Sequence, residues 1–376
     1  MRAAMWLVAL LGFTAPLCAQ SDSISKARRD APMPRPDVVR GLYVNRWAVL
    51  ENRIWDLINV ARTTEVNALV IDVKDDRGYV LYKSNVPLAR RIGADTTNPV
   101  SAVRIRAVLD TMRANDIYPI ARIVVAKDPL LANAMREWAV QRRSDSTAWL
   151  DRDGNPWLDP HQRGVWTYAA DLAAEAVKLG FSEVQFDYVR FPDEPRLLRE
   201  ARFPLAKGRQ RDRVIREQLA YLRSRMTPLH VPMAIDVFGL TTSDTTDMGI
   251  GQRWEQFAEE ADIVLPMTYP SHYSAGMYGQ PNPNAAPYAI IDQALRDAKI
   301  RNEKIARAPL IVPWYQDFTL GDPPYGPAQI RAQMQAGYDN GVRSWMLWNA
   351  GSKYTIEALK PAILRAEEER SPARKP

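Results

Sequence analysis

Asp187 and Asp236 each stand at the end of an otherwise apolar run, Val184-Gln185-Phe186-Asp187 and Met233-Ala234-Ile235-Asp236. Alternation along a strand puts Gln185 and Asp187 on one face, and Ala234 and Asp236 on one face of the next. Two carboxyls on adjacent strands can meet in one pocket. Such a pair across a scissile bond is what glycoside hydrolysis uses: one protonates the leaving oxygen, while the other attacks the sugar or activates water. Burial raises the pKa of one member so that it holds the proton, and a cation such as Arg190 or Arg122 keeps the other ionised. The plainer reading of each is a buried aspartate bonded to backbone or to an arginine. Asp72 is a third candidate carboxylate, and Lys74, with the same strand parity, stands either as a second site residue or as its neutraliser.

The neighbouring residue types suit a sugar. Arg46, Lys74, Arg122, Arg190 and Tyr269 are expected to position charge and hydroxyls. Trp47, Trp314 and Trp348 are expected to stack on the apolar faces of sugar rings, with packing beneath loops as the alternative. Tyr188, His272 and Asn349 complete the expected substrate-binding set. Trp138, Trp166 and Trp254 lie in helix-like segments and read as core. Other chemistries find less support. His161, His230 and His272 are too scattered for a zinc site. The Asp151-Arg152-Asp153-Gly154-Asn155 segment lacks the later glutamate of a calcium loop and reads as a hairpin turn. There is no Gly-x-Ser-x-Gly elbow for a serine hydrolase. Arg209 to Arg216 reads as a solvated helix face. The expected chemistry calls for no metal and no organic cofactor.

These residues need elements to hold them, and the core shows one pattern eight times over. Strand-like runs at 41–47, 68–74, 118–126, 183–189, 232–239, 262–269, 307–314 and 344–349 are rich in Val, Ile and aromatics, as buried parallel strands are. Amphipathic segments alternate with them, for instance Ile54, Leu57, Ile58 and Ala61, with others beginning near Trp166, Asp212, Gln252, Tyr288 and Ala328 and a last one after Tyr354. Gly180 and Gly341 mark helix ends before strands four and eight. Eight strand–helix units in a chain of this length predict an α/β fold, the (β/α)8 TIM barrel. The competing doubly wound sheet would want a Gly-rich phosphate loop after its first strand, and none is present. In a barrel the candidates above fall at the carboxyl ends of the strands, where active sites lie.

Composition sets the outer limits. The chain has 376 residues, 46% hydrophobic and 25% charged, with a formal charge of +6 that is scattered rather than gathered into a stripe. This gives no basis for a nucleic-acid partner. Arg2, the apolar run 3–17 and Leu17-Cys18-Ala19 resemble a secretory signal peptide over 1–19, too short for a membrane span. Leu17 is large for the position before a lipidated cysteine, so Cys18 is not taken as an anchor. Loss of this segment would remove the only cysteine, leaving a disulfide-free periplasmic or secreted protein. Residues 20–39 read as a flexible linker, 40–366 as the barrel, and 367–376 as a charged tail. The expected partner is a poly- or oligosaccharide substrate, with no membrane span after cleavage and the chain a monomer.

Several strings carry a resemblance. Gly41-Leu-Tyr-Val-Asn, Ala68-Leu-Val-Ile-Asp-Val-Lys-Asp-Asp, Gln185-Phe-Asp-Tyr-Val-Arg-Phe-Pro and Leu265-Pro-Met-Thr-Tyr-Pro are similar to motifs of a bacterial glycoside-hydrolase-like domain family. The resemblance spans about residues 38 to 365. It implies a TIM barrel distantly related to the α-amylase and α-galactosidase hydrolases, and a retaining mechanism with Asp187 as nucleophile. Asp236 occupies the place of the strand-five glutamate acid/base of that group, one carbon shorter. The chitinase-like barrels are also similar, but Asp187-Tyr-Val-Arg-Phe-Pro lacks their glutamate. A catalytically inactive carbohydrate-binding barrel is the alternative function.

Overall fold

The computed structural model describes residues 31–361 and 363–365. The signal-peptide segment, residues 20–30 of the expected linker and the tail from 367 lie outside them. Eight strand positions form one closed, all-parallel barrel. They are β1 (Arg40–Val44), β2 (Ala68–Lys74), β3 (Tyr118–Val124), β4 (Glu183–Asp187), β5 (Met233–Phe238) and β6 (Ile263–Met267), then a seventh position shared by β7 (Leu310–Ile311) and β8 (Trp314–Gln316), and β9 (Trp345–Trp348). Neighbours pair in chain order, β9 returns to β1, and a Trp314–Met267 pairing of β8 with β6 closes the ring. The predicted TIM barrel is the observed fold.

Helices α1 (Arg53–Thr63), α2 (Ala102–Ala114), α3 (Arg163–Leu179), α4 (Arg211–Met226), α5 (Trp254–Phe257), α6 (Pro287–Asn302) and α7 (Pro327–Asp339) form the mantle. Their start and stop signals are local: Ser101 caps α2 by accepting from the Arg104 N–H, and Gly180 ends α3 at φ +119°. Strand side chains sort by parity. Leu69, Ile71 and Val73 face the helices, whereas Ala68, Val70, Tyr43, Ala234, Leu265 and Trp314 pack together inside the barrel.

Several boundaries differ from expectation, each for a local reason. The first strand stops at Val44 because Asn45 caps a short helix, Arg46–Leu50, by accepting from the Ala48 N–H at 2.8 Å. The seventh strand breaks at Val312-Pro313, since Pro313 has no N–H for a ladder. After Tyr354 comes a 3-10 turn, Ile356–Ala358, followed by helical residues 363–365 at the edge of the described chain. The segment before the barrel is no free linker from Met33 onward. The Met33 N–H donates to Ser182 Oγ at 2.8 Å, Arg35 pairs with Glu183 at 3.0 Å, and Val39 is fully buried among the interior side chains. Composition misjudged it because its few apolar residues are spent on the barrel floor.

Candidate active site

The carboxyl ends of β1 to β5 converge on one guanidinium. Arg122 of β3 donates from Nη1 to Asp72 Oδ1 at 2.6 Å, from Nε to Asp187 Oδ2 at 3.1 Å, and from Nη2 to the same Asp187 oxygen. Its Nε also lies 3.8 Å from Asp236 Oδ2. Three carboxyls therefore share one buried cation. Burial opposes the charge on Arg122, but Asp72 and Asp187 outweigh it and raise its pKa. Its plane also lies over the Tyr43 and Trp348 rings, at 5.4 and 5.2 Å.

One cation cannot hold three carboxylates ionised in an apolar interior. Burial lifts Asp72 to about 6 despite Arg122 and a 2.5 Å bond from the Tyr43 hydroxyl. Asp236 is pushed well above the usual carboxylate range, first by burial and then by the charge of Asp187. Its Oδ1 accepts from Trp314 Nε1 at 2.7 Å and from Gln185 Nε2, while its Oδ2 has no hydrogen-bond partner. The proton of a neutral Asp236 therefore belongs on Oδ2. Asp187 is held differently. Tyr188, the next residue, takes a left-handed φ of +53°, and its N–H donates to Asp187 Oδ1 at 2.5 Å. A tyrosine in that region is strained. Here the turn ends β4 directly above the carboxylate.

Above this cluster opens a cavity of about 580 Å³, of the size that ligand sites have. Asp187, Arg122, Tyr188, Arg190, Tyr269, His272 and Trp348 line it. Asp236 does not; it is 1% exposed and sits under the floor. Arg190 is wedged against the rings of Trp157, Tyr188 and Phe238 at 5.1, 4.9 and 4.5 Å, and its Nη1 holds Asp193. Burial above all raises the pKa of the Tyr269 phenol, and burial lowers that of His272. Gly239 closes one wall, where a Cβ would stand 2.4 Å from the Met267 carbonyl oxygen.

Other predicted residues are placed elsewhere. Lys74 does not join Asp72. The ladder shifts between these two residues, so Lys74 turns outward to pair with Asp128 beneath Tyr168. Arg46 is 2% exposed, packed between Trp47 and Tyr79 and donating to the Thr97 carbonyl, so it and Trp47 form a rim away from the cavity. Trp314, 1% exposed, cannot stack on a sugar; it is the partner that fixes Asp236. Asn349 fastens a loop, accepting from the Gly351 and Lys353 N–H groups and donating to the Asp317 carbonyl. Tyr43 and Gln185 were not expected as bonding partners of Asp72 and Asp236. Their signal was parity, since Gln185 shares the face of Asp187 and Tyr43 shares that of Gly41. The Asp151–Asn155 turn is a hairpin, closed by the Asp151 N–H to the Asn155 carbonyl at 3.0 Å.

Residues 41–354 match the model of a family described as a putative glycosyl hydrolase domain. The chain belongs to that family. It is accordingly an enzyme of the glycosidase class, and its substrate is a carbohydrate. A hypothetical protein from Ruminiclostridium thermocellum shares 38% identity over 52% of this chain and 97% of its own, at TM-score 0.47. The PgaB (BpsB) glycoside hydrolase domain from Bordetella bronchiseptica aligns over 84% of this chain and 95% of its own, at 14% identity and TM-score 0.59. Alpha-L-fucosidase isoenzyme 2 from Paenibacillus thiaminolyticus covers 88% of this chain and 49% of its own, at 12% identity and TM-score 0.54. At such identities the last two speak for the barrel alone. No curated protein matches the chain.

Proposed function

We propose that the protein hydrolyses a glycosidic bond of a poly- or oligosaccharide, with Asp187 as nucleophile and Asp236 as the group that holds the proton. The observation that carries this reading is the division of labour between two neighbouring carboxyls. Asp187 is charge-paired and faces the cavity. Asp236 lies beside it with a raised pKa and a bare Oδ2. Asp187 attacks the anomeric carbon as the leaving oxygen takes the proton from Asp236, giving a glycosyl ester and a free alcohol. Water, losing a proton to Asp236, then cleaves the ester and restores both groups. Arg122 orients Asp187, and Trp348 and Tyr269 meet the sugar.

Both Oδ2 atoms touch Arg122 Nε, at 3.1 and 3.8 Å. The sum caps their separation at about 6.9 Å, below most of the roughly 6.5–9.5 Å inverting range and compatible with the roughly 5–5.5 Å of retaining enzymes. Retention is therefore the expected stereochemistry. The apolar run 3–17 supports export to the periplasm or the medium. No helix among the described residues is long and apolar enough to cross a membrane.

One observation favours binding without turnover: Asp236 is covered by the cavity floor. A panel of polysaccharides and aryl glycosides, tested on wild type and Asp187→Asn, separates the two. Release of product by wild type, lost in the variant with binding retained, supports hydrolysis at Asp187. Equal turnover in both removes Asp187 as nucleophile, and binding without product from either favours the inactive barrel.

A further inference from the structure

The space over Asp187 is flanked by a second hollow. Of about 360 Å³, this hollow lies beside Trp348 and is lined by Phe318, Thr319, Leu320, Asn349, Ala350 and Gly351. Tyr269, His272 and Trp348 line both spaces and so form the partition between them. The partition is rigid. Trp348 stacks on Tyr43 with ring centres 4.0 Å apart. Phe318 meets Tyr269 and His272 edge-on at 5.6 and 6.0 Å. Gln316 pins that bank, donating to the Phe318 carbonyl at 2.9 Å and accepting from the Ser271 N–H and hydroxyl at 3.1 and 2.8 Å. Asn349 pins the other through the Gly351 and Lys353 N–H groups. The hollow is thus shaped before any ligand arrives, which spares the cost of ordering it.

Its chemistry differs from that of the first cavity. Arg122, Arg152, Arg190, Asp187 and Asp193 line the first, whereas no Asp, Glu, Lys or Arg lines the second. Rings and aliphatic carbon dominate it, with Leu320 53% exposed. Thr319 Oγ1 accepts from the Tyr325 N–H at 3.1 Å, leaving its own proton to donate. A surface of this kind takes the C–H face of an uncharged pyranose and offers hydrogen bonds at its edge. It offers nothing to neutralise a uronate or a sulfate. We propose that the second hollow is a subsite for a neutral sugar ring belonging to the same chain that enters the first cavity. The substrate is then an oligo- or polysaccharide bound across Trp348 and His272. This rests on the glycosidase reading of the Asp187 site.

Ala350→Trp fills the hollow and Leu320→Ser removes its apolar floor. Both side chains are exposed, so neither change touches the barrel core. Affinity is measured by calorimetry for maltohexaose, cellohexaose and chitohexaose and for the matching p-nitrophenyl monoglycosides, with kcat/KM wherever wild type turns them over. For the hexaose that wild type prefers, each variant is expected to lose at least tenfold in affinity and kcat/KM relative to the monoglycoside. Loss by the same factor on both ligands, or on neither, overturns the subsite. So does a wild type that binds no hexaose more tightly than its monoglycoside. A wild type that binds the hexaose tightly, loses that binding in Ala350→Trp and cleaves nothing refutes the glycosidase reading while upholding the subsite.

Discussion

The two ends of the barrel both bury acids, and β4 supplies one to each. Glu183 lies at its start and Asp187 at its end, with Gln185 between them on the same face. At the start, each acid has a cation of its own. Arg35 of the preceding segment pairs with Glu183, and Glu65 is met by Arg40 and Arg331 at 3.7 and 2.7 Å. At the end, Asp72, Asp187 and Asp236 crowd around Arg122 alone, and the cluster opens into a cavity. The start has cations enough for its acids; the end has an excess of carboxyl. An excess of buried carboxyl around one cation costs stability, and on the proposed glycosidase reading it sets two carboxyls side by side for acid–base chemistry. Burial of an acid is common to both ends; what sets the far end apart is the shortage of cations together with the cavity.

The sharpest way to break this contrast is to remove charge at each end of β4. Asp187→Asn is expected to lower kcat by roughly 10³-fold or more, whereas Glu183→Gln changes it only a few-fold, as steady-state rates on a cleaved substrate will show. Comparable losses would erase the distinction. Next in size is stability. Arg122→Met leaves three buried carboxyls without their cation and is expected to cost about 3–5 kcal/mol in urea unfolding at pH 7. Arg35→Met is expected to cost less, because only one carboxyl loses its cation and Glu183, lifted to about 7 by burial, can take up a proton instead.

Asp236→Asn sharpens the role of the proton. A loss of about 10²–10⁴-fold is expected on substrates with poor leaving groups, and far less on p-nitrophenyl glycosides, which depart without protonation. An equal loss on both would mean that Asp236 only props the floor. A smaller effect concerns pH. Glu183 stands at about 7 in the folded chain against an ordinary 4.5, and Asp72 at about 6 against 3.8. The folded state thus binds these protons more tightly than the unfolded one, so both groups lower stability as pH rises from about 4 to about 7. In denaturation series, Glu183→Gln is expected to flatten this fall between 4.5 and 7, and a change of slope in the opposite direction would contradict the assignment. Smallest of all, Trp47→Ala on the rim should alter kcat/KM by no more than about twofold. Trp348→Ala, inside the cavity, should lower it by on the order of tenfold.

Much of this was legible in the chain because strand parity is local. Asp72, Asp187 and Asp236 come together as alternation requires, and β2 runs from Ala68 to Lys74 as its apolar run predicts. Lys74 escaped the same rule because the ladder shift after Asp72 is set by pairing with β3, which no local pattern records. Trp314 read as a platform because sequence shows a residue near a strand end but not its depth; its indole lies inside the barrel, against Asp236. Arg46 lies away from the cavity because its type also suits rim packing, and Asn349 lies beside the second hollow while also fastening a loop. Tyr43 was missed because a tyrosine beside apolar residues looks like core, and only the return of β1 to the side of β2 brings its hydroxyl to Asp72.

Trapping the covalent intermediate tests the central claim most directly. Wild type is incubated with the 2-deoxy-2-fluoro analogue, bearing an activated leaving group, of whichever glycoside it cleaves, and the digested protein is sequenced by mass spectrometry. The account predicts one glycosyl adduct, on Asp187 within the Gln185–Pro192 stretch, and none in Asp187→Asn. An adduct on another carboxylate, or no adduct together with a product of inverted anomeric configuration, would contradict it.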